Sequence, residues 1–241
     1  MRTIQGIHAV REALTGDPAR VRKVVLVEGR LDERLARIAS LARERGVPVY
    51  REPRERLRRH GGHHQGVVAE LTDMGWLDLE TLLAHLPSPA LLLVLDQVED
   101  PRNLGAVVRA AEGAGVHGIV VPARRTAPFS EAAFAASAGA LHHVAVARVG
   151  NLAESLRRLK EAGLWIVGLE ASAPTAWYDF DFTSPVAIVV GSEGKGLRPR
   201  VAASCDALVS LPQRGKVESL NLSVAAGIVL YEVIRQRISR K

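Results

Sequence analysis

The sequence predicts an α/β protein in two parts: a small N-terminal α/β unit, then a parallel sheet covered by helices on both faces. Three observations predict this. From Ala90 on, short apolar runs at 91–95, 118–121, 144–147, 165–169 and 186–190 are separated by helical segments. That is the pattern of strands buried on both faces. Residues 1–70 also alternate helix and strand signals, but with many arginines between them. Between the two parts, residues 72–90 gather Gly75, Pro87 and Pro89 around one short acidic helix, as a hinge would. The expected domains are therefore 1–72 and 90–241, with 73–89 as linker.

In chain order, 6–14 reads as a short helix and 22–27 as a buried strand. Residues 32–45 form a helix with apolar side chains at 35, 38, 41 and 42 on one face; Asp32 is its expected N-cap and Gly46 its stop. A strand at 47–50, a basic helix at 54–60 and a strand at 66–71 complete the first part. The acidic helix spans 78–86, the five apolar runs follow, and 222–236 is the last helix. It is apolar on most sides, so it is buried on its own domain or against a second subunit.

Bulk properties narrow the class. With 47% hydrophobic and 24% charged residues, the chain of 241 is globular and not disordered. No uncharged apolar stretch reaches 18 residues, residues 1–5 carry no secretory h-region, and the single Cys205 forms no intrachain disulfide. A reducing cytoplasm is expected. The net charge of +6 is unevenly placed: residues 1–70 hold 15 Lys and Arg against 9 Asp and Glu, whereas 71–241 hold 17 of each. A polyanion-binding module joined to a neutral one explains this, as does a charged, solubility-driven surface.

Three segments do not read as plain packing. Asp100-Pro101-Arg102-Asn103-Leu104-Gly105 directly follows an apolar strand, at the edge where ligands of open α/β sheets bind. Asn103 is a candidate helix cap, Gly105 allows close approach, and Arg109, six residues beyond Asn103, is expected to face the crevice. Gly191-Ser192-Glu193-Gly194-Lys195-Gly196-Leu197 also follows a strand, and its three glycines imply positive φ or a backbone pressed on a ligand. It is not a phosphate-binding P-loop, because Gly196 and not Ser or Thr follows Lys195. A Gly-x-Gly-x-x-Gly dinucleotide loop is absent after every strand. The third segment, Leu211-Pro212-Gln213-Arg214-Gly215-Lys216-Val217-Glu218-Ser219-Leu220-Asn221, offers cations for phosphate and leads into the last helix, with Ser219 or Asn221 as a possible N-cap.

Together, in this order and spacing, the three resemble the motifs of the SpoU/TrmH family of RNA 2′-O-ribose methyltransferases, part of the SPOUT class. The resemblance covers 91–237. Gly6-Ile7-His8-Ala9-Val10-Arg11-Glu12-Ala13-Leu14 and His64-Gln65-Gly66-Val67 are similar to the L30e-like substrate domain of the branch that methylates a guanosine of 23S rRNA. Gln213 departs from the family, where methionine is expected. The resemblance implies a deep trefoil knot in the C-terminal domain, S-adenosylmethionine as cofactor and a cytoplasmic homodimer. It also implies cofactor contacts from Leu169, Gly191, Glu193, Gly196, Leu211, Leu220 and Asn221. Arg109, Asn103, Glu193, Ser219 and Asn221 are the implied catalytic group. Family members acting on tRNA share the chemistry, and a non-catalytic RNA-binding homologue is a third reading.

For RNA contact the candidates are Arg51, Arg54, Arg58, Arg109, Arg214 and Lys216. Arg56 and Arg59 lie on the same basic helix, which is otherwise an ordinary solvated face. His8, His63, His64, His142 and His143 suggest a metal, but no cysteine ligands accompany them. Solvated or RNA-facing histidines are expected instead, with no metal and no membrane partner.

Overall fold

A computed structural model of the chain describes residues 2–60, 64–72, 75–216 and 219–239. The chain divides into two compact units, Met1–Gly75 and Trp76–Lys241.

The first unit has four strands, β1 (Arg2–Gln5), β2 (Val21–Val27), β3 (Val49–Glu52) and β4 (Val67–Leu71), in the order β1-β4-β2-β3. β4 runs antiparallel to β1 and β2, and β2 runs parallel to β3. Helices α1 (Ile7–Gly16) and α2 (Glu33–Glu44) bury Val10, Leu14, Leu35 and Ile38 with Val24, Leu26, Val67 and Ala69 of the sheet. The Asp32 carboxylate accepts from Leu35 N at 2.8 Å, capping α2, and Gly46 (φ +71°) ends it. The basic helix is shorter than its composition suggests: α3 (Arg54–Leu57) passes into a 3₁₀ turn, Arg58–His60. β1 has no counterpart in the sequence reading.

The second unit opens with α4 (Leu79–Ala84), capped by Asp78, which accepts from Thr81 N at 2.7 Å. Residues read as linker thus join the core: Leu79 and Leu82 are buried, and Leu77 bridges Ala147. The strands that follow are β5 (Leu91–Leu95), β6 (Gly118–Pro122), β7 (Val146–Val149), β8 (Trp165–Leu169), β9 (Thr175–Ala176), β10 (Val186–Val190) and β11 (Ala207–Ser210). All pair in parallel, in the order β7-β6-β5-β10-β8-β11-β9. The helices are α5 (Pro101–Gly113), α6 (Glu131–Ala136), α7 (Leu152–Glu161), α8 (Pro199–Ala202) and α9 (Leu222–Ile238). α4, α7 and α8 cover one face, over Leu92, Val94, Val120, Ala147, Ile166, Ala187 and Val189. Alternation turns Leu91, Leu93 and Leu95 to the other face, and they are buried there too.

Two features position the site. β10 enters between β5 and β8 although it follows both in sequence. The loops leaving β8, β10 and β11 therefore crowd one strand edge, where open α/β sheets bind ligands. Among the described residues, no helix is long and apolar enough to cross a membrane.

Candidate functional site

α5 begins with Asp100 as N-cap, its carboxylate accepting from Arg102 N at 2.7 Å, and with Pro101 at the first helical position. Asn103, read above as a possible cap, is instead one turn in, and its amide is free to bridge. Gly105 has a packing reason: a Cβ there would stand 2.2 Å from Ala133 O and 2.7 Å from Ala136 Cβ. The close approach it permits is that of α6.

The 191–197 loop is a tight hairpin. Ser192 N donates to Gly196 O at 3.1 Å and Gly196 N to Ser192 O at 3.0 Å, with Gly194 and Gly196 at φ +77° and +63°. A Cβ on Gly191 would meet Gly196 O at 2.1 Å. The loop's exit is tethered to β5 by Asp96, fully buried, which accepts from Arg198 Nε at 2.7 Å and from Arg198 N at 3.0 Å. Nothing in the local pattern singles out Asp96, which lies just beyond an apolar strand.

Asn221 caps α9, accepting from Ser223 N at 2.9 Å and Ser223 Oγ at 2.6 Å. Its Nδ2 donates to Asn103 Oδ1 at 3.0 Å, and Asn103 Nδ2 donates to Glu193 Oε2 at 2.9 Å. One chain of side-chain bonds thus joins all three segments.

Glu193 stands between two cavities. One, of about 220 Å³, is lined by Leu169, Gly191, Gly196, Leu211, Ser219 and Leu220, and also by Glu170, Gln213 and Ala225. The other, of about 210 Å³, is lined by Asp100 and Asn103; Ser192, Glu193, Lys195 and Leu222 line both. Asn221 lies on neither wall and touches the site through its bond to Asn103. The Glu170 side chain is the feature missed by sequence reading: it faces Gly196, where an added Cβ would stand 2.9 Å from Glu170 Oε2.

Arg109 is exposed and stands outside both cavities and outside the hydrogen-bonded cluster. Its six-residue offset from Asn103 turns it by about 120° around α5. Arg214 and Lys216 are exposed beside Gln213, whose Nε2 reaches Leu211 O at 3.5 Å. In the first unit Arg51, Arg54, Arg56, Arg58 and Arg59 are all exposed. There the two N-terminal segments meet, with Ile7 N donating to Gln65 Oε1 at 3.2 Å.

The histidines divide. His64 and His142 are buried, not solvated as expected. His64 Nδ1 accepts from Gly66 N at 3.0 Å, and its pKa is lowered by burial and then by Arg54 and Arg58. The His142 ring packs 5.0 Å from that of Phe134. His8 lies 3.1 Å from Arg11. His63 falls outside the described residues. Among those described, no three His, Cys, Asp or Glu side chains gather as metal ligands. Burial pushes the Cys205 thiol up to about 12.

Comparison with known proteins places this geometry. Residues 90–231 match the SpoU rRNA methylase family, and residues 3–74 match the RNA 2′-O ribose methyltransferase substrate-binding family. The chain is 43% identical over 238 residues to the 23S rRNA (guanosine-2′-O-)-methyltransferase RlmB of Pseudomonas putida, covering 97% of this chain and 96% of that one. It is 42% identical over 243 residues to RlmB of Vibrio parahaemolyticus, covering 99% and 98%. The crystal structure of the SpoU methyltransferase AviRb from Streptomyces viridochromogenes in complex with AdoMet superimposes with a TM-score of 0.83 at 26% identity, covering 98% of this chain and 90% of that one. With three motifs joined by side-chain hydrogen bonds and both halves matched, the chain belongs to the SpoU rRNA methylase family.

Proposed function

We propose that the chain transfers a methyl group from S-adenosylmethionine to the ribose 2′-hydroxyl of a guanosine in the peptidyl-transferase P-loop of 23S rRNA. The observation that carries this reading is the bonding of Asn103, Glu193 and Asn221 at the rim of a glycine-walled pocket. It occurs in a chain whose relatives are named for that reaction.

The pocket fits the cofactor. Leu169, Leu211 and Leu220 offer an apolar lining for an adenine, and Gly191 leaves the backbone bare because no Cβ fits there. Once bound, S-adenosylmethionine supplies a methyl carbon already activated by its sulfonium. Gly191, Gly196 and the three leucines hold it, while Glu193, pinned by Asn103, keeps the hairpin in place between the two cavities. The second cavity receives the ribose beside Asn103. Holding the hydroxyl in line is the largest contribution open to these residues. Ser219, on the pocket wall, and Asn221, behind Asn103, shape the site.

The hydroxyl must also lose its proton, which passes to solvent water and not to Arg109. Arg109 is a poor base because a guanidinium stays protonated. It clamps the adjoining phosphate and steers the hydroxyl. Arg51, Arg54, Arg58, Arg214 and Lys216, all exposed, hold further phosphates.

A homodimer belongs to the same proposal. Arg109 stands apart from its own chain's cluster, and α9 exposes Val224, Tyr231 and Ile238 at seven-residue spacing, one stripe along the helix. A second copy on that stripe brings Arg109 to the neighbouring pocket. The entry of β10 between β5 and β8 supports a trefoil knot threaded by the C-terminal segment. We place the protein in the cytoplasm, with its rRNA.

Ribose-methylation mapping of 23S rRNA from cells with and without the gene tests the reading. Loss of one methylated guanosine in the P-loop is the expected result. Unchanged rRNA beside a tRNA that loses its 2′-O-methyl group makes the chain a tRNA enzyme of the same family. No change in either, with no cofactor bound in a titration, makes it a non-catalytic RNA-binding homologue.

A further inference from the structure

The sheet of the first unit is covered unequally. α1 and α2 pack along one face, over Val24, Leu26, Val67 and Ala69. The other face carries one small cluster, Leu57 of α3 on Val25 and Val68. Tyr50 lies beside that cluster on the edge strand β3, paired in register with Val25, and is 54% exposed. Alternation along β2 sets Lys23 on the same face as Val25. Lys23 Nζ is 5.7 Å from the Tyr50 ring centroid and 2.8 Å from Glu70 Oε1. Arg54 and Arg58 are exposed, three residues before and one after the buried Leu57 of this cluster.

An aromatic ring left in water at a sheet edge, with cations around it, does not suit an apolar protein partner. It suits an unpaired base with phosphates on either side, since every base has a face that stacks on an aromatic ring. Charge supports the same occupant, because the whole excess of +6 falls within residues 1–70. Glu52 and Glu70 share this face, and Lys23 pairs with Glu70.

We propose that this open sheet face binds single-stranded RNA, with Tyr50 stacking on one unpaired base and Arg54 and Arg58 taking the flanking phosphates. The proposal rests on the rRNA reading above and assigns it a surface and a base-recognition residue.

The test is fluorescence anisotropy of the full chain with a fluorescein-labelled hairpin of the 23S P-loop, across a salt series and alongside steady-state methylation of that hairpin. Tyr50→Ala is expected to weaken binding roughly tenfold or more. It should raise KM with kcat unchanged and leave the salt dependence unaltered. Tyr50→Trp, which keeps a stacking face, is expected to bind as tightly as the unaltered protein. Arg54→Ala with Arg58→Ala should lower the slope of log affinity against log salt by about 1.4. If the unaltered protein methylates the hairpin and Tyr50→Ala binds it equally well, the stacking proposal is overturned and the rRNA reading stands. If the unaltered protein neither binds nor methylates it, the rRNA reading falls and takes the proposal with it.

Discussion

Asn221 Nδ2 donates to Asn103 Oδ1 at 3.0 Å across 118 positions of sequence. The same Asn103 donates onward to Glu193, and the same Asn221 caps the last helix. A single amide therefore ties the start of α5 to the start of α9 and orients the hairpin between them.

That coupling makes the two asparagines non-additive. Asn103→Ala and Asn221→Ala should each lower kcat/KM by about 10- to 100-fold, and the double variant should be little worse than the poorer single one. Asn221→Ala should in addition cost about 1 kcal/mol of stability through the lost cap, visible as a lower urea midpoint. Independent, additive losses in kcat/KM would show that the relay does not act as a unit.

Gly191→Ala should abolish cofactor binding while leaving the sheet intact. The new methyl collides with the Gly196 carbonyl, a backbone atom that cannot rotate away. Titration calorimetry with S-adenosylmethionine should show no saturable heat, whereas the circular dichroism spectrum should match the unaltered protein. Gly194→Ala is the contrast: nothing lies within 4 Å of its Cβ, so only the φ of +77° is strained. It should retain measurable binding.

Asp96→Ala should cost about 2 kcal/mol in urea unfolding, because it leaves the Arg198 backbone amide without its acceptor and the half-exposed Arg198 guanidinium without its partner. Cofactor affinity should fall with it, since the hairpin loses its anchor to β5. Unchanged affinity in the folded variant would mean that the loop holds its shape without the tether.

Acid sensitivity should trace in part to His117. Its Nδ1 accepts from Leu91 N at 2.9 Å, and burial, then Arg237, lower its pKa from 6.5. The unfolded chain thus takes up a proton before the folded one does. Stability conferred by the neutral ring is complete above about pH 6.5 and declines as the pH falls through that value towards the lowered folded pKa. Urea midpoints between pH 8 and 5 should drop less in His117→Gln. His64, lowered in the same direction, should supply a separate part of the drop.

Much of this is legible in the sequence, for physical reasons. Strands such as 91–95 and 186–190 announce themselves because burial on both faces demands unbroken apolar runs. β1 does not, since Arg2-Thr3-Ile4-Gln5 offers one buried apolar residue, and β11 is only four residues long. The three loops stand out through their glycines and amides, but their mutual bonds leave no periodic trace. Asn103 is the wrong cap, because Pro101 belongs at the first helical position and leaves Asp100 as N-cap. The placement of Arg109 on the outer side of α5 follows from helical geometry. Leu79 and Leu82 are disguised by the prolines and glycine around them.

The insertion of β10 between β5 and β8 also bears on the order in which the protein can mature. Asp96 waits 102 residues for Arg198, and Asn103 waits 118 for Asn221. During synthesis at about 5–20 residues per second, β5, β6 and β7 emerge long before the strand that separates β5 from β8. A nascent chain stalled before Asn221 therefore holds most of its sheet but no finished pocket. The ability to take up the cofactor arrives abruptly, once α9 has left the ribosome.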